Sequence, residues 1–155
     1  MSVPWLGIGI GIAVAVAVAV LLLRRTFVVV TVSGESMLPT LRPGDRVLVR
    51  RVPLRRVRRG QLVVIESPAR GLPMPENPPW LVKRAVALPG EPVPSEMPAL
   101  PETDDGRVPA DRFVILGDNI LRSFDSRRAG YFSADTLLGV VVRRMSSHNS
   151  SDGGR

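Results

Sequence analysis

A serine hydroxyl becomes a nucleophile when a neighbouring group takes its proton, and this sequence offers few groups able to do so. Of its 21 Lys and Arg residues, twenty are arginine and one is lysine, Lys83. Arginine stays protonated to above pH ~12 and cannot serve as a base. The one histidine, His148, lies in the polar run SSHNSSDGGR, where nothing would hold an imidazole rigidly enough for a triad. There is no cysteine, so thiol nucleophiles, disulfides and thiolate zinc sites are excluded, as is a multi-histidine metal cluster. The remaining bases are carboxylates and Lys83, whose amine would need burial to lower its pKa.

Lys83 sits in the run Leu81-Val82-Lys83-Arg84-Ala85-Val86-Ala87-Leu88. On a strand, Leu81, Lys83, Ala85 and Ala87 share one face, and Val82, Arg84, Val86 and Leu88 the other. Small apolar neighbours could desolvate the ammonium. An exposed lysine snorkelling over apolar surface fits the same pattern, and the residues alone leave both readings open. A serine candidate, Ser36, stands in Ser33-Gly34-Glu35-Ser36-Met37-Leu38-Pro39-Thr40-Leu41. There Gly34 would allow unusual dihedrals and Pro39 would stiffen the exit of the turn. Such a turn could expose a hydroxyl and aim N–H groups at an oxyanion, or it could be only a turn. A third cluster runs Gly117-Asp118-Asn119-Ile120-Leu121-Arg122-Ser123-Phe124-Asp125-Ser126-Arg127. Gly-Asp-Asn predicts a tight turn with side-chain-to-backbone hydrogen bonds. Asp125 and Arg127, two apart, would share one face of an extended segment. Ser123 has a hydroxyl that could orient a neutral amine.

The elements that must position these residues are short and mostly extended. The chain has 155 residues, enough for one domain with a modest core. Gly and Pro number 14 and 15, which argues against a helical bundle. Strand-like runs are Thr26–Val32, Arg46–Val52, Gln61–Glu66, Leu81–Leu88, Phe113–Leu116 and Leu138–Arg143, with Gly and Pro in the gaps. Residues 67–79 and 90–111 are proline-rich and predict loops, and residues 146–155 a disordered polar tail. Ahead of all this stands Trp5–Leu23, uncharged throughout and ending on Arg24 and Arg25. As a helix it would reach about 28 Å, close to the ~30 Å of a hydrocarbon core. The run alternates small and branched residues, but it is too long for an ordinary strand. Its lack of a basic n-region and of a polar cleavage region favours an uncleaved anchor over a removable signal peptide.

Charge is concentrated near the anchor. Residues 24–59 hold ten arginines against Glu35 and Asp45, and Arg50, Arg51, Arg55, Arg56, Arg58 and Arg59 fall within ten positions. Val, Pro and Leu separate them, with no aromatic residue to stack on a base. That favours a solvated face near anionic headgroups over a nucleic-acid surface, so no nucleic-acid partner is expected.

SGESMLPTL, LVKRAVALPGE and GDNILRSFDSR, in this order, resemble the signature boxes of the type I signal peptidases, membrane-anchored serine proteases with a Ser–Lys dyad. The similarity runs from about Phe27 to Arg144, with GDRVLVRR as a further family-like strand. The resemblance implies a mainly β fold: a compact, barrel-like catalytic core over residues 26–145, preceded by one transmembrane helix over residues 5–23 behind a short end, residues 1–4. It implies Ser36 as nucleophile and Lys83 as general base. It gives Ser123 the task of orienting the amine, and makes Asp125 and Arg127 a supporting pair. Gly117, Asp118 and Asn119 would shape the site, and the Ser36 N–H would be one oxyanion donor. Some relatives carry a second donor, a serine hydroxyl two positions before the nucleophile. Here that position is Gly34, so a backbone group or water must replace it. The implied substrates are signal-peptide-bearing preproteins or leader peptides, bound extended with small residues at the first and third positions before the cut. No cofactor or metal is implied, and membrane lipid is the other expected partner. The implied location is the plasma membrane with the body on the extracytoplasmic side, whereas Arg24 and Arg25 after the anchor argue the reverse by the positive-inside rule.

Only 33 residues separate Lys83 from Gly117, where larger relatives hold a second domain, so a minimal core is expected. Arg-rich, Lys-poor composition suits a bacterium of high G+C content. Two rivals remain at this stage. A self-cleaving Ser–Lys regulator lacks an anchor and the GDN…S.DSR box. A non-catalytic membrane-anchored binding protein on the same fold would leave Ser36, Lys83 and Ser123 without a task.

Overall fold

The structure, a computed structural model, describes residues 4–67, 79–95, 97, 99–101 and 103–145. The expected tail at 146–155, including His148, and most of the loop at 67–79 lie outside the described residues.

Helix α1 covers Pro4–Thr26. Its alternation of Gly or Ala with Ile or Val does not make a strand. Residues two apart on a helix lie about 200° apart, so the alternation spreads branched side chains around the whole circumference and leaves no polar stripe. The helix continues three residues past the expected end, through Arg24 and Arg25, and Thr26 Oγ1 closes it by donating to the Leu22 carbonyl at 2.8 Å. From Gly9 to Thr26 no residue of it is buried against the body, and its length and composition suffice to cross a membrane. This disposes of a buried core helix.

Strand β1, Phe27–Thr31, follows without a linker. The other strands are β2 (Arg46–Arg50), β3 (Leu62–Glu66), β4 (Trp80–Ala87), β5 (Arg112–Leu116), β6 (Phe132–Ser133) and β7 (Leu137–Met145). A four-residue helix, α2 (Ser126–Ala129), precedes β6. All ladders are antiparallel, and the strands form one curled half-barrel sheet in the order β1-β2-β7-β3-β4-β5-β6. The mainly β fold stands, with the six expected strands each trimmed or extended by a few residues. Two-residue β6 has too few residues to carry a periodic signal.

The sheet buries apolar residues on both faces, which is why β3 reads as an unbroken run Leu-Val-Val-Ile. Val63 and Ile65 pack with Ala85, Phe113 and Ile115 on one face. Val64 packs with Val30, Val47, Val49 and Val82 on the other. Bulges interrupt β2 against β7 between Leu48 and Val49 and β4 against β5 between Ala85 and Ala87, and bulges of this kind bend and twist a sheet. Gly139 in β7 is required where the sheet meets the chain after β2: a Cβ there would fall 2.2 Å from the Arg50 carbonyl oxygen.

Candidate active site

The Ser36 turn connects β1 to β2. It is held from below by Met37 and Leu41, 0% and 2% exposed, both packed in the core with Val30 and Val64. The Leu41 N–H donates to the Met37 carbonyl, and the Leu38 N–H to that of Glu35. Anchoring on both sides leaves Ser36 half-buried at the surface of the turn. The sequence reading had not singled out Met37 and Leu41 as anchors, although both stand inside the quoted box. Gly34 is exposed and lies outside the left-handed region, so its expected unusual dihedrals are not used.

Lys83 lies mid-way along β4, opposite Val63 of β3. Its residue is 2% exposed, and Leu81 and Ala85, its neighbours on the same pleat, pack into the core. This decides the choice left open by the residues: Lys83 does not snorkel. Its Nζ donates to Ser123 Oγ at 3.1 Å. Burial, opposed by the Asp125 charge and assisted by that of Arg127, pushes the amine down to about 8. A buried lysine usually keeps its proton by pairing with a carboxylate. Here the nearby carboxylate is already engaged.

Asp125 is fully buried. It accepts from Ser123 Oγ at 2.5 Å, from the Gly117 N–H at 2.8 Å, and from Arg127 through Nε at 3.0 Å, Nη2 at 2.5 Å and the backbone N–H at 3.1 Å. Burial pushes its carboxyl up, but the bonds from Arg127, Gly117 and Ser123 outweigh this and hold it below the usual range. The extended pairing expected for Asp125 and Arg127 is not what forms. Asp125 is the N-cap of α2, and the helical turn brings the Arg127 backbone and guanidinium back onto it. A spacing of two cannot distinguish a strand face from a capping turn, and the spacing of three or four that marks longer helices is missing here.

Gly117 directly follows β5, where three segments meet. A Cβ on it would fall 2.2 Å from Ser123 Oγ and 2.6 Å from the Ser36 carbonyl oxygen. The absent side chain therefore lets the Ser36 turn and the Lys83–Ser123 pair approach over one backbone position. Asn119 fastens the approach: its N–H donates to the Ser36 carbonyl at 2.9 Å, and its Nδ2 to that of Glu35 at 3.2 Å. Asp118 points elsewhere. It receives Arg84 bidentately, Nε at 2.9 Å and Nη2 at 2.6 Å, and Thr40 Oγ1 at 2.5 Å. The hydrogen bond from Arg84 comes first in holding the Asp118 carboxyl low, and Thr40 adds to it despite partial burial. The side chains of Asp118 and Asn119 thus bind across segments rather than closing their own turn, which is what the residue types predict. Arg84 and Thr40 were missed as site-building residues. Their signal was position alone: each stands inside one of the three boxes, and Asp118 in the third joins them.

The nine residues singled out in the sequence therefore meet around Gly117, apart from Gly34, which stays at the exposed lip. Among the described residues, no group of His, Cys, Asp and Glu could hold a metal ion.

The family model for signal peptidase, peptidase S26, matches residues 5–100 and 94–146. The chain belongs to this family. It is accordingly a member of a family of serine endopeptidases. It is similar to a signal peptidase I of Leptolyngbya laminosa, 34% identical over 144 residues, covering 77% of this chain and 70% of that protein. A probable signal peptidase I-2 of Synechocystis is 31% identical over 141 residues, covering 77% of this chain and 64% of the relative. A signal peptidase I V of Bacillus subtilis is 24% identical over 148 residues, 74% of this chain and 83% of that protein.

Proposed function

We propose that this signal peptidase family member is a membrane-anchored endopeptidase that removes signal or leader peptides from exported proteins, with Ser36 as nucleophile and Lys83 as general base. The observation that carries the reading is Lys83: a buried amine, hydrogen-bonded to Ser123 and brought to about 8. An amine in this state is neutral in part near pH 8 and can accept a proton, which an exposed lysine cannot do efficiently.

In this mechanism neutral Lys83 takes the Ser36 proton as Oγ attacks the scissile carbonyl. The Ser36 N–H forms no hydrogen bond with another described residue and is available to the developing oxyanion. Protonated Lys83 then delivers the proton to the departing amine of the mature chain, leaving an acyl ester on Ser36. Lys83, neutral again, takes a proton from water as the water attacks the ester, and returns it to Ser36 Oγ as the peptide acid leaves. Ser123 accepts from the amine and donates to Asp125, so its hydroxyl fixes the amine's direction. Arg127 neutralises Asp125, which would otherwise hold the ammonium form. Gly117, Asp118 and Asn119 keep the two halves of the site at contact distance.

α1 would be the anchor, residues 26–145 the catalytic body, and the extracytoplasmic side its location, since exported preproteins emerge there. Substrates would lie extended with small residues at the first and third positions before the cut. The experiment pairs wild type with Ser36→Ala in detergent micelles on a preprotein carrying a small-x-small site. Cleavage at that site by wild type alone is expected. Equal cleavage by Ser36→Ala, or none by wild type, would overturn the reading.

A further inference from the structure

The arginine run after β2 takes no part in the site described above. Three observations place it at the root of α1. Arg24 and Arg25 occupy the last turn of α1. Arg50 is the register partner of Phe27, the first residue after the helix. The Arg51 N–H donates to the Thr26 carbonyl, the last of the helix, at 2.8 Å. The chain then continues as a 3-10 turn, Leu54–Arg56, pinned to the core by Val52, Leu54 and Val57. Those three apolar residues face in, so Arg51, Arg55, Arg56, Arg58 and Arg59 are all exposed. At no more than ~3.5 Å per residue, the Cα atoms of Arg55 and Arg56 lie within about 14–18 Å of that of Arg51.

None of these guanidinium groups, nor those of Arg24, Arg25 and Arg50, forms an ion pair with a described residue. By contrast, Arg84, Arg127 and Arg144 are each paired with an aspartate. Three aspartates thus pair with arginines of the site and the sheet, while these eight arginines, without an ion pair among the described residues, stand where α1 meets the body. Repulsion among them disfavours the fold unless an anionic surface offsets it. The run lacks aromatic residues, which disfavours single-stranded nucleic acid as that surface.

We propose that these eight arginines form a collar that binds anionic phospholipid headgroups around the exit of α1 and so fixes how the body rests on the bilayer. The inference depends on α1 spanning a membrane. A headgroup in the collar gains about fivefold in occupancy for each arginine it contacts, and high salt weakens the preference.

The test uses the full chain reconstituted in phosphatidylcholine bilayers. Spin-labelled phosphatidylglycerol and spin-labelled phosphatidylcholine report relative association by electron paramagnetic resonance. Three proteins are compared: wild type, a collar variant with Arg55, Arg56, Arg58 and Arg59 each changed to Gln, and a control with Arg42, Arg107, Arg112 and Arg128 each changed to Gln. The control removes equal charge from exposed positions elsewhere. Circular dichroism spectra and melting midpoints matching wild type establish that the variants fold. Wild type and control are expected to prefer phosphatidylglycerol several-fold, and the collar variant to lose the preference. A preference retained by the collar variant, one lost equally in the control, or none in wild type would overturn the collar. Failure of wild type to enter bilayers of any composition would instead overturn the anchor on which it rests.

Discussion

Arg127→Leu should raise the pH at which this enzyme works while leaving its nucleophile and base in place. Three successive contacts, 3.1 Å from Lys83 Nζ to Ser123 Oγ, 2.5 Å to Asp125 and 2.5 Å to Arg127 Nη2, put that guanidinium no further than about 8 Å from the amine. At an effective dielectric constant of ~20, a unit charge at ~8 Å is worth about 2 kcal/mol, or about 1.5 pH units. Partial exposure of Arg127, 26% of its side chain, discounts this to about 1–1.5. The direction follows from the signs. Removing the cation leaves the Asp125 carboxylate, still bonded by Gly117 and Ser123, facing Lys83, and both changes favour ammonium. The amine then rises from about 8 to roughly 9–9.5, and its neutral fraction at pH 8 falls roughly 5- to 16-fold. The assay is kcat/KM against pH on a small-x-small peptide in micelles, where the acid limb reports the free enzyme's base. The limb should move to higher pH with much of the alkaline plateau kept, and Arg127→Lys should restore it. A lower plateau with an unmoved limb would refute the electrostatic argument and reduce Arg127 to holding the loop.

Lys83→Arg should lower kcat by on the order of 10³-fold or more. It keeps the charge but removes the base, so cleavage within tenfold of wild type would sink the assignment. Gly34→Ser should raise kcat by about tenfold or more if its hydroxyl reaches the oxyanion. The position has open space around its Cβ and needs no left-handed backbone, so an unchanged kcat in a folded variant would show that the second donor is already supplied. Gly117→Ala should cost at least about 100-fold in kcat/KM, since its Cβ would meet Ser123 Oγ at 2.2 Å and the Ser36 carbonyl at 2.6 Å. This close approach cannot be relieved without moving one of them, and wild-type cleavage by that variant would contradict the packing.

Most strands were legible because each is a run of β-branched residues ended by Gly or Pro. β3 and β4 stand out, one apolar up to its last residue, Glu66, the other apolar except for Lys83 and Arg84. The helix was legible by length against a bilayer, although its alternating text suggests a strand locally. The nine candidate residues were picked out through their boxes, whose order carries more information than any one spacing. What stayed hidden is contact between boxes. Nothing in the residue spacing says that Asp118 turns towards Arg84 and Thr40, or that Asp125 caps α2 rather than lying beside Arg127 on a strand. Such contacts depend on the register of β4 against β5, which sequence periodicity leaves free by steps of two. Lys83 illustrates the same limit. Its face was readable, but its desolvation depends on what covers that face, Ser123 and the Asp125–Arg127 pair, which come from a segment 40 residues on.

The place of β7 bears on when the site comes into being. Ser36 follows β1 and Lys83 lies on β4, but the ladders of β1-β2 and β3-β4 share no backbone pairing; the strand joining them is the last of the described chain. Until residues 137–145 arrive, Ser36 and Lys83 belong to two ribbons that share no ladder, each with a bare edge, and only core packing and the Asn119 bonds to the Ser36 turn link them. If Ser36 and Lys83 act as proposed, such a chain would be a zymogen without a propeptide: latency would lie in the order of strands, and competence would arrive with the final weld of the sheet. Were the body to cross a membrane, as the proposed location requires, this order would keep the partly translocated chain inactive on the way.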